Sequence, residues 1–262
     1  MKMIFLMLFL VCCYTFATPI NSGLLLWLDA SDSSTVINDG SGYVMRWEDK
    51  SGNNYHATQS TSASRPTLNS NALNGKAAIR FDGSNDGMFI SDSLYLTRSY
   101  TVFIVNQYYG SVQGRTLQSR DINWLAGLWA GNHGHYASGW VSNSSYNTAG
   151  TNTPWISEAI GYTSSSAYYA NGQNYTVDSN PTGNPGKLAL VGSGAYNEQS
   201  QADVAEILIY NRVLTTQERN AVGSYLATKY SMATSYVNVP EPATLSFALV
   251  AIFALCLKKR NR

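Results

Sequence analysis

Short apolar runs, too short for ordinary helices and separated by Gly, Asn, Asp and Ser, fill the middle of this chain. Residues 23–28 (GLLLWL) are continuously apolar, the pattern of a strand covered on both faces. Residues 76–81 (KAAIRF) and 88–90 flank the turn Asp82-Gly83-Ser84-Asn85 and predict a hairpin. Residues 100–105 (YTVFIV) are β-branched and aromatic, which predicts a central strand. Residues 167–170 and 175–177 flank Asn171-Gly172, the dipeptide best suited to a two-residue hairpin turn. Residues 187–191 and 204–210 (VAEILIY) predict two more strands. Only one segment reads as a helix. Thr215 and Glu218 have the spacing of a capping box, and Ala221, Val222, Tyr225, Leu226 and Tyr230 follow at helical intervals. Many strands, one amphipathic helix and no strand–helix alternation predict an all-β fold, two antiparallel sheets face to face.

The two ends have a different pattern. Lys2 precedes an apolar stretch over residues 3–13, and small residues stand at Thr15 and Ala17. This reads as a secretory signal helix over residues 1–17, cut between Ala17 and Thr18. Near the other end, residues 243–257 form an uncharged apolar run of fifteen, followed by Lys258, Lys259, Arg260 and Arg262. As a hydrophobic helix it would span roughly 22 Å, short of the hydrocarbon thickness of about 30 Å. The basic cluster would hold its end on the cytoplasmic side. Residues 18–230 remain as one domain, with a small, polar tether over 231–238 and the tail at 239–262.

Composition narrows the function. All three cysteines, Cys12, Cys13 and Cys256, fall in the ends, so the domain is expected to fold without a disulfide. Five of seventeen Lys and Arg lie in the ends, and one of sixteen Asp and Glu, leaving twelve against fifteen, a net charge of about −3. A sparsely charged, mildly acidic domain offers no basic patch for nucleic acid.

The stretches IRFDGSNDGMFI (79–90) and SYTVFIVNQ (99–107) resemble the laminin-G-like, concanavalin A-like jelly rolls. LLLWLDASD (24–32), WEDKSGNNYHATQ (47–59), YYANGQ (168–173) and the segment 202–230 are similar to the bacterial branch of that lectin and glucanase group. The resemblance implies a jelly-roll sandwich. The tail VPEPATLSFALVAIFALCLKKRNR resembles the PEP-CTERM sorting signal, with Pro240, Glu241 and Pro242 as its triplet. That resemblance implies an exosortase-type partner, a transient stay in the inner membrane, and delivery to the cell surface or matrix of a Gram-negative-type bacterium.

Glycosidases of the wider jelly-roll group need two carboxylates on one face of a strand. No such run is present. Glu48 and Asp49 are adjacent, and Asp203 and Glu206 stand three apart, so in regular strands each pair points to opposite faces. These are expected to be solvated charges or turn caps, and the domain is expected to be no enzyme. His133 and His135 have the spacing of some metal ligands, but a third is lacking and the neighbouring glycines predict an exposed loop. Asp82 and Asp86 bracket the FDG turn. They fit calcium ligation or ordinary turn chemistry, as do Asp29 and Asp32. Between residues 121 and 146, Trp124, Trp129, Tyr136, Trp140 and Tyr146 are interleaved with Gly and Asn. Rings for the C–H face of a sugar, with amides for its hydroxyls, make a glycan site. The same rings would equally serve as core. The resulting expectation is an exported, surface- or matrix-associated domain that binds a polysaccharide. The alternatives are a glycoside hydrolase, degenerate or active, and a purely structural surface protein.

Overall fold

The computed structural model describes residues 19–143 and 147–237. The signal segment with its Ala17–Thr18 junction, Tyr146, and the tail with Pro240, Glu241 and Pro242 lie outside them. Two antiparallel sheets of eight strands each lie face to face. Numbered in chain order, the first runs β14 (Gln173–Asn174), β13 (Ser166–Ala170), β12 (Trp155–Gly161), β8 (Tyr100–Gln113), β16 (Ser200–Tyr210), β6 (Lys76–Asp82), β5 (Thr67–Leu73). β1 (Leu24–Asp29) also pairs with β16. The second runs β11 (Asn132–Ala137), β10 (Trp124–Trp129), β9 (Leu117–Ser119), β15 (Leu188–Val191), β7 (Gly87–Ile90), β4 (Ala57–Thr58), β3 (Val44–Trp47), β2 (Val36–Asn38). The one α-helix of the described residues, α1 (Thr216–Lys229), starts at the expected capping box.

Both faces of the first sheet are covered, and that explains its continuous apolar runs. Val102 and Ile104 of β8 join Ile207 and Ile209 of β16 between the sheets. Phe103 and Val105 point the other way and pack with Leu208, Val222 and Leu226 under α1. Within the segment expected as a tether, residues 235–237 pack onto the domain. Ser235 N–H donates to the Asn171 carbonyl at 2.8 Å, Val237 N–H to Asn220 at 3.1 Å, and the Tyr236 ring lies 6.5 Å from that of Phe103.

Asn171-Gly172 turns β13 into β14 with left-handed φ values of 48° and 80°, as expected. The FDG turn does not make a hairpin. β6 belongs to the first sheet and β7 to the second, so the turn 82–86 carries the chain from one layer to the other. β6 makes its hairpin with β5 instead, through Asn74-Gly75 at φ values of 48° and 83°.

Candidate functional site

β10 and β11 form a tight hairpin turning at Ala130 and Gly131, with φ values of 48° and 78°. Strand alternation sorts its aromatic residues onto two faces. Trp124 points inward and is wholly buried. Its indole N–H donates to Tyr100 Oη at 2.9 Å, and its ring meets those of Tyr100 and His135 edge-on. This ring belongs to the core and offers no face to a sugar. Trp129 and Tyr136 point the other way and are half-buried. Trp140 joins them, 4.9 Å from Trp129 and 5.3 Å from Tyr136 between ring centroids.

The cluster is held by a residue the aromatic pattern does not reveal. Glu198 accepts from the Trp129 indole N–H at 2.9 Å and from Arg115 Nε at 2.5 Å, and the Arg115 guanidinium lies over the Tyr196 ring. A ring fixed in this way loses little freedom when a ligand stacks on it. No periodicity or motif marks Glu198; it lies between β15 and β16 and reaches the hairpin only through the fold.

A recess of about 690 Å³ opens beside the FDG turn, lined by Tyr43, Arg65, Arg80, Asp82, Asp86 and Tyr109 among others. Arg80 lies over the Tyr109 ring at 4.0 Å and makes a bidentate pair with Asp203. Arg65 pairs with Asp39 at 2.9 Å. Asp82 Oδ1 accepts from the backbone N–H of Ser84 at 2.8 Å, and Asp86 Oδ2 accepts from that of Asp82 at 2.9 Å. Burial pushes the Asp86 carboxyl up to about 6, with Asp82 adding like-charge repulsion. Calcium takes six to eight oxygen ligands. Here one oxygen of each carboxylate is turned onto backbone N–H groups, and no set of three acidic, His or Cys groups converges among the described residues. Asp29 is engaged by Lys50 at 2.9 Å and Lys229 at 2.7 Å, and Asp32 by Lys50 at 2.8 Å.

Two expectations about charged and polar residues are corrected. Asp203 and Glu206 are buried and share a face. The register of β16 on β8 shifts between Val204 and Glu206, so Asp203 lies opposite Gln107 and Glu206 opposite Val105, positions of equal parity. Neither is solvated. Glu206 accepts from Trp27 Nε1, Tyr225 Oη, Lys229 Nζ and Tyr230 Oη, all within 3.0 Å. Glu158 on β12 is buried under α1 in the same way, paired with Arg219. Burial raises the pKa of Glu158 and of Glu206 against the pull of Arg219 and Lys229. His133 and His135 lie on β11, not in an exposed loop, and both are buried. His135 Nδ1–H donates to the Leu125 carbonyl at 2.7 Å, which leaves Nε2 to accept from Tyr100 Oη at 3.4 Å. Burial lowers both imidazoles to about 4.

No protein-family model matches the chain, and no curated protein sequence matches it. Solved structures do. Domain 4 of AbnA, a GH43 extracellular arabinanase from Geobacillus stearothermophilus in complex with arabinotriose, is 15% identical with a TM-score of 0.54. That match covers 78% of this chain and 98% of that domain. A Trypanosoma rangeli sialidase in complex with the inhibitor DANA is 14% identical with a TM-score of 0.53, over 82% of this chain and 36% of that one. The same sialidase with 2,3-difluorosialic acid as a covalent intermediate gives 0.52 at 14% identity, over 79% and 33%. The chain thus spans about a third of the sialidase's length. At these identities the likeness establishes the β-sandwich fold. It also corrects one expectation. The fold recurs within a sialidase chain and as a domain of an arabinanase, so the missing carboxylate motif does not set this domain apart from enzymes. The exclusion of enzymatic activity is withdrawn.

Proposed function

We propose that this chain is an exported β-sandwich domain that recognises a carbohydrate chain at the Trp129, Tyr136 and Trp140 cluster. One observation carries the reading: three half-buried rings converge on one face of the β10–β11 hairpin, Trp140 between Trp129 and Tyr136, with Glu198 fixing the Trp129 indole. Flat apolar faces beside the Glu198 carboxylate and Asn132, which pairs with Trp129 across the hairpin, suit the alternating C–H and hydroxyl faces of a sugar. The arabinanase domain of like fold, solved with arabinotriose, supports a glycan as the ligand class. The laminin-G-like resemblance belongs to the same reading. So does the tail: we take Pro240, Glu241 and Pro242 as the signal that an exosortase-type enzyme reads at the inner membrane, before delivery to the surface or matrix.

The test incubates the purified domain with linear arabinan, xylan, cellulose, alginate and a sialylated glycan, scoring both retention and released reducing ends. Retention on at least one polymer, weakened in Trp129→Ala with the melting temperature preserved, supports the reading. Retention on none overturns it. Release of reducing ends would make the domain a hydrolase.

A further inference from the structure

The end of the sandwich that carries the ring cluster carries two recesses as well. The turn 82–86 closes onto the turn at Ser62–Ser64, where Asn85 Nδ2 donates to the Ala63 carbonyl at 2.7 Å. On one side of this closure lies the recess beside Tyr43 and Arg80. On the other lies a smaller one of about 330 Å³, lined by Thr61, Asn85, Ser193, Asn197 and Gln199 among others. Asn197 and Gln199 flank Glu198, which holds the Trp129 indole. The two recesses and the ring cluster therefore follow one another along one rim.

The rim is polar along most of its length. Tyr43, 47% exposed, stands at one end, and Tyr196, 41% exposed, lies near the other on the Arg115 guanidinium. Between them the first recess is lined by Asp39, Arg65, Arg80, Asp82 and Asp86 with hydroxyls, and the second by amides and hydroxyls around Phe89. Neither arginine of the first recess is free for an anionic ligand, since Arg65 and Arg80 are both held by carboxylates, and Asp82 and Asp86 stand beside them. Gln199 donates its amide N–H to Asn197 Oδ1 at 3.0 Å. Its Oε1 is a buried acceptor without a partner among the described residues. Gly192 makes room for this amide, because a Cβ there would stand 1.9 Å from Gln199 Nε2.

We propose that this rim is one continuous track for an internal stretch of an uncharged polysaccharide, several sugar units long, running from Tyr43 past Asn85 and Gln199 to Trp129. The proposal rests on the reading of the ring cluster as a glycan site. It adds the ligand's length and lack of charge. Exposed rings at both ends set the span, and the amides of Asn85, Asn197 and Gln199 exchange hydrogen bonds with hydroxyls along it.

The experiment uses fragments of two to eight units, cut from whichever panel polymer retains the domain, and measures affinity by calorimetry. Affinity should climb at least about tenfold from two units to eight, as further contacts engage. Tyr43→Ala and Gln199→Ala should each weaken the eight-unit fragment by about tenfold, on the scale of one lost ring or hydrogen-bond contact, and leave the two-unit fragment unchanged. Trp129→Ala should weaken both fragments. An affinity that is level beyond three units overturns the track, as does an eight-unit fragment indifferent to Tyr43→Ala and Gln199→Ala. In either case a surviving Trp129 effect leaves the ring-cluster reading standing. Selective retention of alginate, a polyanion, would also overturn the track. If no polymer is retained, both readings fall together.

Discussion

Arg219 of α1 donates Nη2–H to Glu158 Oε2 of β12 at 2.9 Å, and the carboxylate is fully buried. Tyr236 Oη reaches the same oxygen at 3.2 Å, and Arg219 lies over the Tyr169 ring at 3.9 Å. Helix and C-terminal segment are therefore fastened to the sheet through one buried charge. Removing a single partner of such a pair strands the other, at a cost of roughly 3–5 kcal/mol.

Arg219→Met should thus lower unfolding free energy by about 3–5 kcal/mol in a urea titration. Replacing both partners, Glu158→Leu with Arg219→Leu, should recover most of the loss, because no charge is then left unpaired. A single variant as stable as the parent would mean that water reaches Glu158 and that α1 is docked loosely.

The pH dependence has two opposed parts. His133 and His135 are held neutral in the fold, lowered to about 4 from an ordinary value near 6.5. The unfolded chain takes up those protons first, so this part of the stability is lost as pH falls from 6.5 through 4. Asp86, raised to about 6, behaves in the opposite way. Its contribution is present below the ordinary carboxylate value and is lost as pH rises through 6. Asp86→Asn keeps an acceptor for the Asp82 N–H and removes that loss. At pH 7 the variant should be more stable than the parent by on the order of 2 kcal/mol, and the gap should close near pH 4. Equal stabilities at pH 7 would show that Asp86 ionises freely.

Local signals were legible and long-range ones were not. Asn171-Gly172 and the Thr215–Glu218 capping box are complete within a few residues, and both form as the sequence predicts. The run at Tyr100 is apolar on both faces and is the strand both layers cover. What could not be read is where chain segments distant in sequence meet. The turn after Phe81 looks like a hairpin, yet β6 and β7 find partners in different sheets. A one-residue register shift in β16 reverses the facing of Asp203 against Glu206, and no composition rule announces it. The ring cluster was half legible. Alternation separates Trp124 from Trp129, but the hairpin had to be known before the parity could be assigned.

The tail makes its own prediction. Replacing Pro240, Glu241 and Pro242 with alanines should leave export intact and stall the protein in the inner membrane, as read by fractionation. Unchanged delivery to the surface would reduce the tail to a plain weak anchor.

The rings of the β10–β11 hairpin allow a sharper test, because neighbouring tryptophans face opposite ways. Trp124 is wholly buried and hydrogen-bonded to Tyr100, so Trp124→Ala should cost about 3–5 kcal/mol of stability. Trp140 is half-buried on the other face, so Trp140→Ala should cost about 1 kcal/mol of stability or less. Glycan binding should follow the reverse order. Trp140→Ala should weaken it by roughly 1–3 kcal/mol, taking stacking on nucleobases as the scale. Trp124→Phe keeps most of the core volume, loses the hydrogen bond to Tyr100, and should bind as the parent does. A melt and a binding isotherm on each variant separate the two roles. If Trp124→Phe abolishes binding in a domain that still melts cooperatively, the inward ring is part of the site and the facing assigned to this hairpin is wrong.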